Sequence, residues 1–349
     1  MVVLGHGMSM YGALPFLHEP RVPWIQNIAV VVFFVLSGLL IPYATCLKIS
    51  KSNQYGFTRF LIDRFSRIFS AFIPSIIFVA VIDAIAVYFI GSYSYERAFN
   101  FRTFAANILM LQDHPLWRVA VGAGIDPITS FGSARPFWTV GVEWWLYMAF
   151  GWLVLQKRTR PLRWTIGLIL IVPVAIEHIV GGRGNGLTMV WLTGWACFRT
   201  LSGGALHLLP KPTATLAALA SFALAVLRLR VSGSAYDLLF AVLFAAGLVL
   251  VISLLDGVPH APRARTQSAI RFFGGYSLTL YLIHYSIMTA IQPLGKSLSP
   301  STLLALSFVI SNIAAAAIAH FTERNYRALA GLIAQQLEAP RRAATTSSP

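Results

Sequence analysis

Apolar residues fill long stretches of this chain, and the polar residues collect in the short intervals between them. Most of the stretches are apolar on every helical face, as in segments that have no water-facing side. A run of about 20 apolar residues has the length needed to cross a bilayer as a helix. Ten such spans are expected, at 1–16, 24–47, 70–90, 137–155, 164–179, 187–200, 213–229, 236–255, 268–291 and 301–321. The apolar piece 104–111 is too short to cross and reads as an interfacial or re-entrant part of the long third loop. Backbone groups in lipid must be satisfied within the segment, which a helix achieves alone. The expected fold is therefore all-α, a polytopic transmembrane helix bundle.

Composition agrees. Of 349 residues, 57% are hydrophobic and 11% charged, against about 25% charged in soluble domains. The net charge of +15 would suggest nucleic acid in a soluble protein. Here its placement argues for cytoplasmic loops, which are rich in Lys and Arg. One set of loops carries Lys48, Lys51, Arg59, Arg64 and Arg67, then Lys157, Arg158, Arg160 and Arg163, then Arg263, Arg265 and Arg271, then Arg324, Arg327, Arg341 and Arg342. The intervening loops hold few cations or balance them, Arg228 and Arg230 being the discord. This alternation puts both termini in the cytoplasm and the chain in a plasma or inner membrane as a multi-pass protein. No nucleic-acid partner is expected. Residues 1–327 form the transmembrane domain, and 328–349 a polar cytoplasmic tail expected to be disordered at its end. Two cysteines and eight scattered histidines give no disulfide framework and no metal-ligand spacing. The glycine-rich 181–186 lacks the Lys-Ser/Thr of a phosphate-binding loop.

The informative residues are the polar ones placed where they are expensive. Glu143 lies inside the apolar helix 137–155, flanked by Trp138, Trp144 and Trp145, with Thr139 and Tyr147 four residues away on either side. These three share a helical face. An intramembrane carboxylate costs at least a few kcal/mol unless paired. Segment 57–69 is basic and amphipathic, as in a helix lying at the cytoplasmic interface. Its Arg64 and Arg67, one turn apart, also suit an anionic ligand, because Arg contacts phosphate bidentately. In span 268–291, Ser277, Tyr281 and His284 share one face. They line a candidate acceptor pocket, or serve as ordinary hydrogen-bonding glue between helices. Asp83, Asn312, His320 and the pair Glu177–His178 read most simply as structural polar groups. The first span is short, with about fourteen residues before Pro15. The expectation is that the start lies downstream of the true one or that the first helix is incomplete.

The chain resembles the acyltransferase 3 family of integral membrane O-acyltransferases, which includes enzymes that acetylate O-antigen and exopolysaccharide. The matching pieces are VVLGHG at 2–7, VFFVLSGLLI at 32–41, FLIDRFSRIF at 60–69, FWTVGVEWWLY at 137–147 and GGYSLTLYLIHYSI at 274–287. FTERNYR at 321–327 looks like the family's last conserved helix end. The resemblance implies transfer of an acyl group, usually acetyl from acetyl-CoA, to a carbohydrate or glycolipid hydroxyl. Acyl-CoA would be a co-substrate, with no permanently bound cofactor and no metal. By that resemblance His6 and Glu143 are the catalytic candidates, and Arg64 and Arg67 bind the acyl donor. Trp138, Tyr147, Ser277, Tyr281 and His284 are candidates for the acceptor pocket. Two departures stand out: the chain begins too late to hold the Arg that relatives carry about ten residues before the histidine, and Trp144 replaces a second polar residue beside the acid.

Ester formation from a thioester requires a base for the acceptor hydroxyl and donors for the tetrahedral oxyanion. An imidazole titrates near neutrality, which suits His6 to the first task. Glu143 would then hold that imidazole in one tautomer and stabilise its cation. At 1.5 Å per residue both lie about 10–13 Å inside the external face. The same polar residues also fit a second class, a transporter or flippase of a lipid-linked sugar or small anion. Such a protein is expected to show broken helices or paired repeats, and the sequence shows neither.

Overall fold

The computed structural model describes residues 1–17, 23–52, 54–90, 93–115, 117, 121–122, 124–156, 161–180, 186–204, 209–256 and 264–346. Among them the regular structure is helical throughout. The helices are α1 (Val2–Tyr11), α2 (Ile25–Lys51), α3 (Phe57–Ile85), α4 (Phe101–Ile108), α5 (Phe137–Leu155), α6 (Pro161–Val180) and α7 (Leu187–Ser202). They continue as α8 (Lys211–Ser232), α9 (Leu238–Leu255), α10 (Ala264–Gly274), α11 (Ser277–Ile291), α12 (Pro300–Phe321) and α13 (Tyr326–Thr346). Among the described residues, five stretches are helical, long and apolar enough to cross a membrane: Ile25–Lys51, Phe57–Phe89, Lys211–Ser232, Leu238–Leu255 and Pro300–Leu337. Helix α5 falls outside this group because tryptophans, a tyrosine and Glu143 dilute its apolar character, while α1, α7 and α11 are too short.

The chain divides into two compact units, residues 1–53 with 171–262, and residues 54–170 with 263–349. In the first unit α2 and α7 pack backbone to backbone. A Cβ placed on Gly38 would lie 1.9 Å from the Trp191 carbonyl oxygen, and one on Gly194 would lie 2.0 Å from that of Val35. Small residues permit such approach, and the gain is van der Waals contact rather than exclusion of water. Trp191 Nε1 donates to Ser37 Oγ at 3.1 Å across the same seam. Helix α1 ends at Gly12 in the left-handed region, the usual stop for a helix. It is shorter than the expected 1–16 span. Gln26 of α2 donates to Ser9 of α1 at 3.3 Å. At the α8–α9 turn Asp237 caps α9 through Phe240 N–H at 2.8 Å and receives Arg228 Nη2 at 2.7 Å. That hydrogen bond holds the Asp237 carboxyl below its usual range. It also neutralises Arg228, one of the two cations discordant with the charge alternation.

In the second unit α3 is one continuous helix from Phe57 to Ile85, extended by a wider turn at Ala86–Ile90. The expected interface helix 57–69 is thus the first half of a longer one. Pro74 lies inside it, and membrane helices accommodate proline because neighbouring groups satisfy the freed carbonyl. Aromatic contacts join α3 to α5 along their length. Phe57 meets Trp152 at 4.9 Å, Phe60 meets Phe150 at 5.9 Å, Phe69 meets Trp144 at 5.2 Å and Phe72 meets Phe137 at 4.7 Å. The expected span 268–291 is interrupted. Helix α10 stops at Gly274 and α11 begins at Ser277. Beyond α12, residues expected as a polar tail form α13, whose Ala330 and Ala334 are buried with Ile62. Residues 347–349, where disorder was expected, lie outside the described residues.

The described residues of the connection between α3 and α5 form a cap. Asp83, 1% exposed, accepts from Ser133 N at 2.8 Å and from Ser133 Oγ at 2.6 Å. Gly132, at φ +51, leaves room for that carboxylate, which a Cβ would meet at 2.0 Å. Asn107 donates to the carbonyls of Thr103 and Thr129 and accepts from Phe131 N–H. The piece expected as interfacial, 104–111, is the end of α4 and the turn after it, where Met110 adopts φ +56.

Substituting Gly194 or Gly38 by Leu should lower the thermal midpoint in detergent by the equivalent of about 1–3 kcal/mol or prevent folding, because overpacking strains a close seam. Gly274→Ala, where a Cβ meets nothing within 4 Å, should stay near wild type. Equal midpoints for Gly194→Leu and Gly274→Ala would refute the backbone contact.

Candidate active site

Proline before Phe137 starts α5 with the ring in the first turn, where its missing N–H loses no bond. The Thr139–Glu143–Tyr147 face expected from the sequence is present, and all three residues are buried. Glu143 is 6% exposed and accepts a short hydrogen bond on Oε1 from the Tyr147 hydroxyl one turn on. That donor offsets part of the desolvation of a carboxylate among Val140, Val142 and Leu146.

Thr139 extends this face to α11. Its Oγ1 donates to the Pro136 carbonyl at 2.8 Å and lies 2.5 Å from the Tyr281 hydroxyl. With the threonine hydrogen committed to Pro136, Tyr281 is the donor of the second bond. Tyr281 stacks obliquely on His284 at 6.0 Å between ring centres, and His284 is fully buried with Nδ1 3.1 Å from the Leu280 carbonyl. Ser277 does not join this group. It is exposed at the start of α11 and bonds back to the Gly274 carbonyl at 3.2 Å. Trp138 is half-buried on α5.

Arg64 and Arg67 share one face of α3, as their spacing predicts, and differ in their partners. Arg67 Nη1 donates to Glu323 Oε1 at 3.0 Å, and its guanidinium lies over the Tyr326 ring at 5.1 Å. Arg64 lies over Phe60 at 5.8 Å, and its buried Nε has no hydrogen-bond partner among the described residues. Asp63, just before Arg64 in sequence, accepts from Tyr55 at 2.9 Å and pairs with Arg59 at 3.7 Å. Burial, then the Asp63 charge, pushes the Tyr55 hydroxyl well above its usual range. All these residues belong to the second unit. His6 belongs to the first, on α1, half-buried, with its carbonyl accepting from Ser9 Oγ at 3.0 Å.

The family model described as an acyltransferase domain matches residues 1–321. The chain belongs to the acyltransferase 3 family. It is a membrane acyltransferase at the level of that family. Searches of curated proteins and of solved structures gave no match. For an acyltransferase of this family, two polar links are not readable from local spacing. The Glu323–Arg67 pair joins residues 256 apart, and Thr139 meets Tyr281 across 142. The signal available was an acidic residue at the end of a membrane-length helix, which needs a partner somewhere. Asn312 and Asp83 have the structural roles expected: Asn312 accepts from the Tyr276 hydroxyl at 3.0 Å, and Asp83 anchors the cap. No three of His, Cys, Asp and Glu cluster among the described residues as a metal site would require.

The cap touches the outer face of α5. Gln112 Nε2 donates to the Phe137 carbonyl at 3.0 Å, Trp145 Nε1 donates to the Met110 carbonyl at 2.7 Å, and His114 packs edge-on against Trp145 at 5.0 Å. His114 is 4% exposed, and burial pushes its imidazole down to about 4. A depressed histidine favours the neutral form, so its contribution to folding is complete above the ordinary value near 6.5 and is lost as pH falls from there towards 4. Amide exchange across residues 107–117, corrected for intrinsic rates, should therefore accelerate on acidification through that window, and His114→Phe should remove the step. Persistence of the step in His114→Phe would show that another group carries it.

Proposed function

We propose that this protein moves an acyl group, acetyl in the first instance, from acyl-CoA to a hydroxyl of a carbohydrate or glycolipid. The acceptor hydroxyl gives its proton to His6 as its oxygen attacks the thioester carbonyl. The tetrahedral oxyanion then collapses with expulsion of the CoA thiolate, which takes up a proton. Tyr281, half-buried and hydrogen-bonded to Thr139, is assigned to the acceptor side of the site. Glu143 is the carboxylate assigned to support the charge that develops during proton transfer. The phosphates of the donor meet the arginine face of α3. In this reading the chain crosses a cell's inner or plasma membrane ten times, with both termini and the arginine face on the cytoplasmic side.

One observation carries the reading. Within a match covering residues 1–321, an apolar helix keeps a buried carboxylate whose Tyr147 bond lies within its own helix. A carboxylate kept buried in an apolar helix is expensive, and a costly group retained there is a candidate for chemistry.

Purified protein in lipid discs, given labelled acetyl-CoA and a glycan mixture, should release CoA and label the glycan. His6→Ala should reduce kcat by about 10²–10⁴, the usual contribution of a general base, with unchanged elution on size exclusion. Glu143→Gln should reduce kcat while KM for acetyl-CoA is retained. Full activity of His6→Ala would refute the base assignment. Sugar movement with no acyl-CoA consumed would favour a transporter.

A further inference from the structure

Glu323 accepts four hydrogen bonds within the second unit. It is 0% exposed and lies just beyond α12, in the short turn Glu323–Asn325. Its Oε2 accepts from Thr279 N at 2.9 Å and from Thr279 Oγ1 at 2.8 Å. Its Oε1 accepts from Arg67 Nη1 at 3.0 Å and from Leu278 N at 3.4 Å. The N–H groups of Leu278 and Thr279 open α11 and have no acceptor within their own helix. A carboxylate there satisfies them and meets the positive end of the helix dipole. One side chain thus joins α3, the start of α11 and the end of α12.

The cation that balances this carboxylate is Arg67, whose guanidinium also covers Tyr326. Arg64, one turn earlier, has a different situation. No carboxylate among the described residues pairs with it, and its Nε is buried without an acceptor. A buried guanidinium donor left unmatched is costly unless something accepts from it. A phosphate oxygen would do so in the geometry that arginine favours.

We infer that Glu323 is a positioning residue of the acyl-donor site: it engages Arg67 as an internal counter-ion, leaving Arg64 as the arginine that meets the donor's phosphate. This rests on the acyl-CoA reading above. It assigns the two arginines different tasks and gives Glu323 one. Through Thr279 the same carboxylate sets the start of α11, the helix that carries Tyr281 and His284.

The test is a set of variants of the full chain, each assayed for KM and kcat with acetyl-CoA and for thermal midpoint. Arg64→Gln should raise KM at least about ten-fold with kcat within about three-fold, the pattern of a lost ground-state contact to the donor. Arg67→Met and Glu323→Gln should each raise KM by leaving a buried partner unmatched. The double variant Arg67→Met/Glu323→Gln should have a lower KM than either single one, because no uncompensated charge remains. Arg64→Gln/Glu323→Gln should show no such recovery. If Arg67→Met does not fold, Glu323→Asp, which keeps the charge on a shorter stem, carries the test: it should fold and raise KM without lowering kcat. The inference is overturned if the Arg67→Met/Glu323→Gln effects simply add, if Arg64→Gln leaves KM unchanged, or if Glu323→Asp leaves KM unchanged. Turnover by the wild type in any of those cases leaves the acyltransferase reading standing. Absence of acyl-CoA turnover by the wild type would overturn both.

Discussion

A carboxylate carried into an apolar helix bundle must be matched by donors, because its desolvation is otherwise too costly for a marginally stable fold. Among the described residues of the second unit, Asp83, Glu143 and Glu323 are such groups. Asp83 takes two donors from Ser133 and so fixes the cap between α3 and α5. Glu323 takes donors from α3 and α11. Glu143 takes Tyr147 from its own helix. The first two matches are architectural, since removing either partner detaches an element.

The apolar contacts serve the same arrangement. Phe69 and Phe72 of α3 pack on Trp144 and Phe137 of α5, so the carboxylate helix and the arginine helix are aligned along their length. Gly151 reinforces this. A Cβ there would lie 2.6 Å from the Phe60 ring, so α5 is small where α3 is bulky. The result is a fixed offset between Glu143 and the Arg64–Arg67 face. That offset must be constant if one acyl donor is to be held at its phosphates and reacted at its thioester, because misplacement of reacting groups is costly in rate.

Much of the helical layout was legible in the sequence. Helix α5 runs from Phe137 to Leu155, as its apolar pattern and Pro136 indicate, and α7 begins at Leu187 just after the glycine-rich sequence 181–186. Where the structure differs, a particular competing effect explains it. Segment 57–69 has an amphipathic surface, yet its Asp63 is matched by Tyr55 and its Arg67 by Glu323, and the helix runs on into the apolar half of α3. Segment 268–291 is apolar enough to continue, yet Gly274–Gly275 gives α11 a fresh N-terminus, and Glu323 caps it. Of the candidate site, the Thr139–Glu143–Tyr147 face was readable because its members are four residues apart. The Arg67–Glu323 and Thr139–Tyr281 contacts were not, because tertiary pairing across such separations leaves no periodic trace.

Membership of the acyltransferase 3 family shows an acyltransferase, and acyl-CoA is the donor proposed above. The stoichiometry of the reaction tests this most directly. In lipid discs with acetyl-CoA and a glycan acceptor, free CoA thiol and ester-linked acetyl on the glycan should appear in a one-to-one ratio, dependent on both substrates. Glycan crossing the membrane without thiol release, or thiol release with no acetyl ester formed, would contradict the account.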